Sequence, residues 1–353
     1  MIVGHPLRRL LALGSRDLGV DLGTTNTLVH LRGRGVVINE PSLVAVDPRS
    51  RAVKAVGAEA LPMLGKTPGD LVVVRPLRSG VVADFGLAAQ MLTRFLERAR
   101  LRTPGSVAPR PRVLIGVPAG ISPVEVRAAR ESALSAHAAE AFVVEEPLAA
   151  AIGAGLPIAE PVGSLIVDIG GGTTEVAIIS LGGIVTHRSI RIGGDEMDEA
   201  IVNYVKRNYN LLIGERTAEE VKIAIGSAYP MDDEGSVEIR GRDLVTGLPK
   251  TIEVTAAEIR EALSETVAAI VDAIKVTLER TPPELASDIM DRGIVMTGGG
   301  SLLRGLDRRV AEETGMPVHI AEDPLLSVAL GAGKYLDVID NVQRSLATSR
   351  RLA

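Results

Sequence analysis

The sequence predicts an α/β protein built from two related domains around a cleft, each domain carrying a small insertion. Three observations predict this. At 353 residues the chain exceeds the roughly 250–300 residues that a single core usually fills. Apolar runs of strand length alternate with amphipathic helical stretches in both halves, the pattern of layered α/β domains. One motif also occurs twice: an apolar run ends at an aspartate, a turn rich in glycine and threonine follows, and a second apolar run leaves. The copies centre on Asp21 and Asp168, 147 residues apart. Solenoid periods run at roughly 20–50 residues, so this spacing reads as a duplicated domain with one hairpin per half.

At the amino end, residues 6–13 as a helix would set Leu7, Leu10 and Leu11 on one stripe beside Arg8 and Arg9. That is the pattern of a short interfacial membrane anchor. Gly4 and Pro6 shorten it, and the alternative is an ordinary terminus. The first domain is expected over 15–155. Its opening motif, residues 18–29, reads as a β-hairpin, two β-branched runs joined by a glycine-containing turn. Apolar runs at 36–38, 43–46, 53–56 and 71–74 predict a small strand-rich insertion over about 43–76. Residues 87–98 read as a helix with Met91, Leu92, Phe95 and Leu96 on one face. Residues 98–112, with three prolines and five arginines, predict an exposed basic loop. A buried strand at 113–117 follows. Ser122, Pro123 and Glu125 then mark a helix start with a capping box, running to about 136. Residues 142–144 predict a strand ending at Glu145 and Glu146, and after Pro147 an alanine-rich helix is expected over 148–155.

The second domain is expected over 156–340. Its hairpin spans 165–179. Arg191, Ile192, Gly193, Gly194 and Asp195 lead into an amphipathic helix at 197–209, a second helix follows at 215–225, and 229–254 looks strand-rich. Together these set an insertion at about 195–254. Thr255 and Glu258 form a second capping box, opening a helix to about 280 whose stripe is Ile259, Leu263, Val267, Ile270, Ile274 and Leu278. A strand at 294–297 precedes Gly298, Gly299, Gly300 and Ser301 and another helix start. A polar tail begins at 341.

Composition removes several function classes. There is no cysteine, which excludes disulfides, thiolate catalysis and cysteine-ligated metals. The five histidines are scattered without metal-ligand spacing. A net charge of −5 offers no general reason to expect nucleic-acid binding, and aromatics at 2% leave no stacking platform for bases. No apolar run approaches the roughly 18 residues of a membrane span, and no cleavable signal is evident. The expected compartment is cytoplasmic.

Five stretches carry the candidate chemistry. Glycine turns let the backbone approach a ligand, and successive N–H groups there form a nest for anions. Asp21 and Asp168, at the ends of the incoming strands, would hold the cation that accompanies phosphate, Mg²⁺, through water, because Mg²⁺ gives up its hydration shell reluctantly. Each turn alone is equally well a mobile loop with one exposed acid; the repetition favours the phosphate reading. Gly298, Gly299 and Gly300 lie at a strand-to-helix junction open to close approach by a ligand, or form a simple tight turn. Glu219 and Lys222, one helical turn apart, can bond a ribose or flank a base, or be a solvated surface pair. Glu146 can orient a water toward a terminal phosphate with Thr173 as partner, or be a helix-start acid facing the dipole. Spacing alone leaves both readings of Glu146 open.

These residues carry a resemblance. The stretches 21–27, 145–153, 168–175 and 297–301 resemble the actin, heat-shock chaperone and sugar-kinase superfamily. The stretches 191–200, 213–220 and 225–228 narrow it: the chain resembles the MreB/Mbl family of bacterial actins from about Asp17 to Val338. The resemblance implies an actin-like fold with a nucleotide cleft between two domains. It implies an ATPase that polymerises into filaments at the inner face of the cytoplasmic membrane, with itself and the membrane proteins of the wall-elongation machinery as partners, guiding wall elongation and rod shape. It implies ATP and Mg²⁺ as cofactors. By position, Gly23, Thr24, Thr25, Asn26, Gly170, Gly171, Gly172 and Thr173 would hold phosphates, Asp21 and Asp168 would organise Mg²⁺ through water, and Glu146 with Thr173 would place the attacking water. Glu219 and Lys222 would contact the ribose or adenine, and Gly298, Gly299, Gly300 and Ser301 would close over the adenosine. Two departures stand out. Thr25 replaces the family's common alanine. The loop at 101–111 offers arginines and prolines where the family often carries a bulky apolar pair, which makes the Leu7, Leu10 and Leu11 stripe the better anchor candidate. Rival readings are a chaperone-type ATPase, which needs a substrate-binding domain beyond the nucleotide domain, a small-molecule kinase, for which no substrate base is evident, and a scaffold with vestigial hydrolysis, against which Glu146 and Thr173 both stand.

Overall fold

The computed structural model describes residues 17–67, 69–78, 80–101, 110–232 and 234–336. The expectations for residues 1–14, for most of the basic loop and for the tail from 341 lie outside them. The chain forms two compact units, 1–156 with 326–353, and 157–325.

The first unit is built on a five-stranded mixed sheet. In spatial order its strands are Glu140–Glu145, Arg112–Val117, Leu18–Leu22, Asn26–Leu31 and Gly35–Pro41. The last three form an antiparallel meander, and Leu18–Leu22 runs parallel to Arg112–Val117, itself parallel to Glu140–Glu145. Parallel neighbours need crossovers, supplied here by helices Phe85–Leu101 and Pro123–Ser135. The first packs Leu87, Met91, Leu92, Phe95 and Leu96 against the sheet, all essentially solvent-free. The second begins as expected: the Ser122 hydroxyl accepts from Glu125 N–H while the Glu125 carboxylate accepts from Ser122 N–H. The insertion is a three-stranded sheet of Val44–Val46, Val53–Val56 and Val72–Val74 with a small core of Leu43, Ala45, Ala55 and Ala60. The element bounds here are corrected: the strand ends at Glu145 and the alanine-rich helix runs Glu146–Gly153 rather than 148–155, so Glu146 sits at a helix start. Pro147 fits inside the first helical turn because its missing N–H would have no partner there.

The second unit repeats this topology. Its sheet runs Gly183–Ile190, Thr174–Ser180, Ser164–Ile169, Ile294–Thr297 and Val318–Ile320, again an antiparallel meander followed by two parallel strands. Helix Ala256–Glu279, opened by the expected Thr255–Glu258 capping box, buries Ile259, Leu263, Val267, Ile270 and Ile274. Helices Gly194–Tyr209 and Glu215–Ile225 and a sheet of Leu211–Leu212, Ser236–Asp243 and Pro249–Thr255 occupy the expected insertion.

A second correction concerns the boundary expected at 340. Residues 326–336, helical from 327, belong with the first unit. Small residues explain the attachment: a Cβ on Gly331 would stand 1.7 Å from the Ala149 carbonyl oxygen, and one on Gly153 would stand 1.8 Å from that of Ser327. Backbones this close leave no space for side chains, and Lys334 Nζ donates to the Gly153 carbonyl at 3.1 Å.

Candidate functional site

In the first unit, Asp21 sits one residue before the end of its strand and pairs in register with Gly116 on the parallel neighbour. Residues 23–26 then turn the chain. The carbonyls of this turn are tied back by Ser42, which is fully buried: its hydroxyl donates to Gly23 O at 2.6 Å and its N–H to Thr25 O at 2.8 Å. The Ser42 and Thr27 hydroxyls share a further bond of 2.8 Å. Thr24 is buried, and its Oγ1 accepts from Gly80 N–H at 3.1 Å. The turn is therefore a braced loop with its oxygens engaged, which suits backbone N–H groups for an anion. Glu146 Cγ lies 3.4 Å from where a Cβ on Gly116 would stand. Asp21 and Glu146 thus flank one glycine, and a side chain at 116 would crowd both.

In the second unit, Asp168 occupies the same place, one residue before its strand ends and in register with Thr297 on the parallel neighbour. Its environment differs. Asp168 is 7% exposed, and burial pushes its carboxyl up to about 7, with no cationic side chain offsetting the effect. The turn 170–173 closes with Gly170 N–H donating to Thr173 O at 2.8 Å. Its carbonyls are braced by the next segment: Gly194 N–H donates to Gly170 O at 3.0 Å and Asp195 N–H to Gly171 O at 2.7 Å. Gly193 is required by this approach, since a Cβ there would lie 2.6 Å from both carbonyl oxygens. Thr173 and Thr174 are buried, and the Thr174 hydroxyl donates to Ile192 O at 2.7 Å.

Gly298 has φ +81°, and a Cβ on it would stand 2.3 Å from Ile169 O and 2.5 Å from Asp168 Oδ1. Both its conformation and its space demand glycine. Gly299 and Gly300 enter a short 3₁₀ turn, Gly299–Leu302, rather than an α-helix, and the buried Ser301 donates its hydroxyl to Gly298 O at 2.7 Å. The helix expected after this turn is Leu306–Thr314. Helix Glu215–Ile225 is linked to the same region, since Arg304 Nε donates to Gly226 O at 3.2 Å and Ala228 N–H to Arg304 O at 2.8 Å. Glu219 is exposed. Lys222 is half-buried: its Nζ donates to Gly194 O at 2.9 Å and pairs with the Asp198 carboxylate at 2.8 Å.

The structure therefore gathers Asp21, residues 23–26 and Glu146 in the first unit. In the second it gathers Asp168, residues 170–173, residues 298–301 and Lys222. Among the described residues no group of three histidine, aspartate or glutamate side chains can hold a metal. Ser42, Gly193 and Asp198 had no signal as site residues. A lone serine after Pro41 and an acid on a helix look like ordinary polar positions until the strands bring them under the turns.

Comparison with known proteins gives a consistent set of relatives. The family described as MreB/Mbl protein matches residues 15–344. The cell shape-determining protein MreB of Escherichia coli (strain K12) is 54% identical over 340 residues, covering 95% of this chain and 97% of that protein. The cell shape-determining protein Mbl of Bacillus subtilis (strain 168) is 50% identical over 330 residues, covering 94% and 98%. Among solved structures, MreB5 of Spiroplasma citri bound to ADP superposes with a TM-score of 0.88 at 40% identity, covering 93% of this chain and 98% of that one. The MamK double helical filament is similar at TM-score 0.77 and 27% identity, covering 91% and 98%.

Proposed function

The chain belongs to the MreB/Mbl family, its fold is actin-like, and from this we propose that it is an ATPase whose assembly into membrane-associated filaments organises wall elongation and rod shape. The observation that carries the reading is the matched pair of braced turns, each entered from a strand whose penultimate residue is an aspartate. The names of the relatives support it: two are cell shape-determining proteins, one was solved with ADP, and one is a filament.

In this reading the N–H groups and hydroxyls of Gly23, Thr24, Thr25 and Asn26, and of Gly170, Gly171, Gly172 and Thr173, take the phosphates. Asp21 and Asp168 would hold Mg²⁺ through water. Bound Mg²⁺ supplies charge neutralisation on the phosphates. Glu146, carried on the first turn of a helix, accepts a hydrogen bond from the attacking water and orients it with Thr173. Positioning of this kind is the main protein contribution to phosphoryl transfer. Gly298, Gly299, Gly300 and Ser301 cover the adenosine, and Glu219 and Lys222 reach the ribose or adenine. The membrane-facing element is the Leu7, Leu10 and Leu11 stripe with Arg8 and Arg9. No helix among the described residues is long and apolar enough to cross a membrane.

Sedimentation tests this directly. With Mg²⁺ and ATP the protein should pellet as polymer, and adding lipid vesicles should carry it into the vesicle fraction. Protein that stays monomeric under every nucleotide and lipid condition overturns the filament reading.

A further inference from the structure

The nucleotide reading gives Lys222 only a contact to the ribose or adenine and leaves its partner Asp198 without a role. The two belong to neighbouring helices, Glu215–Ile225 and Gly194–Tyr209. Asp198 is 9% exposed, and a charge so far from water is costly unless it is paired. Lys222 pairs with it at 2.8 Å. A second Lys222 bond, 2.9 Å to Gly194 O, reaches the first residue of the Gly194–Tyr209 helix. That residue's N–H holds Gly170 O at 3.0 Å, and the next N–H, from Asp195, holds Gly171 O at 2.7 Å. A continuous chain of contacts thus runs from the Asp198 carboxylate through the Lys222 ammonium and the Gly194 peptide to the second glycine turn. Lys222 also fits tightly: a Cβ on Gly194 would stand 3.4 Å from its Nζ.

We propose that Asp198 and Lys222 are positioning residues for the second phosphate turn, acting through Gly194. The pair orients the helix start whose N–H groups engage the Gly170 and Gly171 carbonyls, and so sets the direction of the turn's own N–H groups. The charge on Lys222 serves the protein's interior geometry before it serves the ribose or base. This rests on the nucleotide-binding reading above and gives Lys222 a different primary task within it. Because helix Glu215–Ile225 lies in the inserted part of the second unit, the pair also ties that insertion to the turn that senses phosphate.

Two probes separate the roles. Mg²⁺-tripolyphosphate has phosphates but no ribose or base, so a residue that sets the phosphate turn affects it and a ribose or adenine contact does not. Affinities for ATP and for tripolyphosphate are measured by calorimetry on the full chain, as wild type, Asp198→Asn, Lys222→Met and the double variant. Each single variant is expected to weaken both ligands by a similar factor of about tenfold, the scale of one charge-assisted hydrogen bond. The double variant should be no worse than the worse single one, because the pair acts as a unit. Lys222→Arg, which keeps a donor for Gly194 O, should recover part of the loss. Asp198→Asn is isosteric and guards against misfolding, which circular dichroism of each variant checks. Loss of ATP affinity alone, with tripolyphosphate unchanged, overturns the proposal in favour of a direct ribose or base contact. Unchanged binding of both ligands overturns it outright. Wild-type protein that binds neither ligand instead removes the nucleotide reading itself.

Discussion

Asp168 is the residue on which burial acts most strongly among the proposed ligands. Its carboxyl ordinarily titrates near 3.8 and in the folded chain is pushed up to about 7. Between these values the folded state binds the proton more tightly than the unfolded state, so this group's contribution to stability falls as pH rises from about 4 to about 7 and is flat beyond. Nucleotide-free protein should show this decline in denaturant titrations. Asp168→Asn should flatten it, matching wild type at or below about pH 4 and exceeding it at about pH 8, since the amide carries no charge to bury. The same variant should lose Mg²⁺-dependent nucleotide binding. A wild-type profile equal to the variant's would show that the carboxylate is not desolvated. Glu146 tests the chemistry rather than the binding. Glu146→Ala should slow phosphate release by roughly 10²-fold or more, the usual share of a positioned acid–base group, with ATP affinity kept. Unchanged turnover would remove Glu146 from the mechanism. Asp21 and Asp168 could be singled out from the chain because an aspartate before a glycine turn is a local pattern, whereas spacing alone left Glu146 open between two readings. Their surroundings could not: Asp21 and Asp168 look alike in sequence, yet Asp168 is buried and Asp21 half-buried.

The elements themselves were legible to differing degrees, and the reasons are physical. Helix Glu215–Ile225 and strand Ile294–Thr297 lie where periodicity sets them, and both capping boxes formed as read, because a cap is a contact between residues three apart. Strand Gly183–Ile190 escaped notice. It is a sheet edge, alternates exposed and half-buried residues, and carries Thr186, His187, Arg188 and Ser189, so no continuous apolar run marks it. Helix Pro283–Arg292 escaped because one residue, Ile289, is all it fully buries. The brace on the first turn is a matter of elements too. Ser42 follows strand Gly35–Pro41 and reaches Gly23 only because that strand pairs with Asn26–Leu31, with Pro41 opposite Asn26. Ser42→Ala leaves the Gly23 carbonyl and the Thr27 hydroxyl short of a partner. It should cost about 1–3 kcal/mol of stability, the range for an unsatisfied buried polar group, and weaken nucleotide binding. Denaturant unfolding and a nucleotide titration check both; a fully stable variant would show that the brace is dispensable.

At the scale of the whole molecule, the duplication was visible in one repeated motif, and the two sheets carry it through every strand order and direction. The sequence alone determined the α/β class, the hairpins, the glycine turns, the capping boxes and the identity of the acids beside them. All of these depend on residues within a few positions of one another. Only the tertiary structure decided three things. Residues 326–336 return to the first unit because Gly331 and Gly153 admit backbones that no other residue would. Asp168 differs from Asp21 because burial, not the local motif, sets the cost of its charge. Lys222 turns to Gly194 and Asp198 because two helices, far closer in space than spacing along the chain reveals, bring a buried acid and a carbonyl within reach of one ammonium. Local chemistry is written in neighbours along the chain; desolvation and close approach depend on neighbours in space.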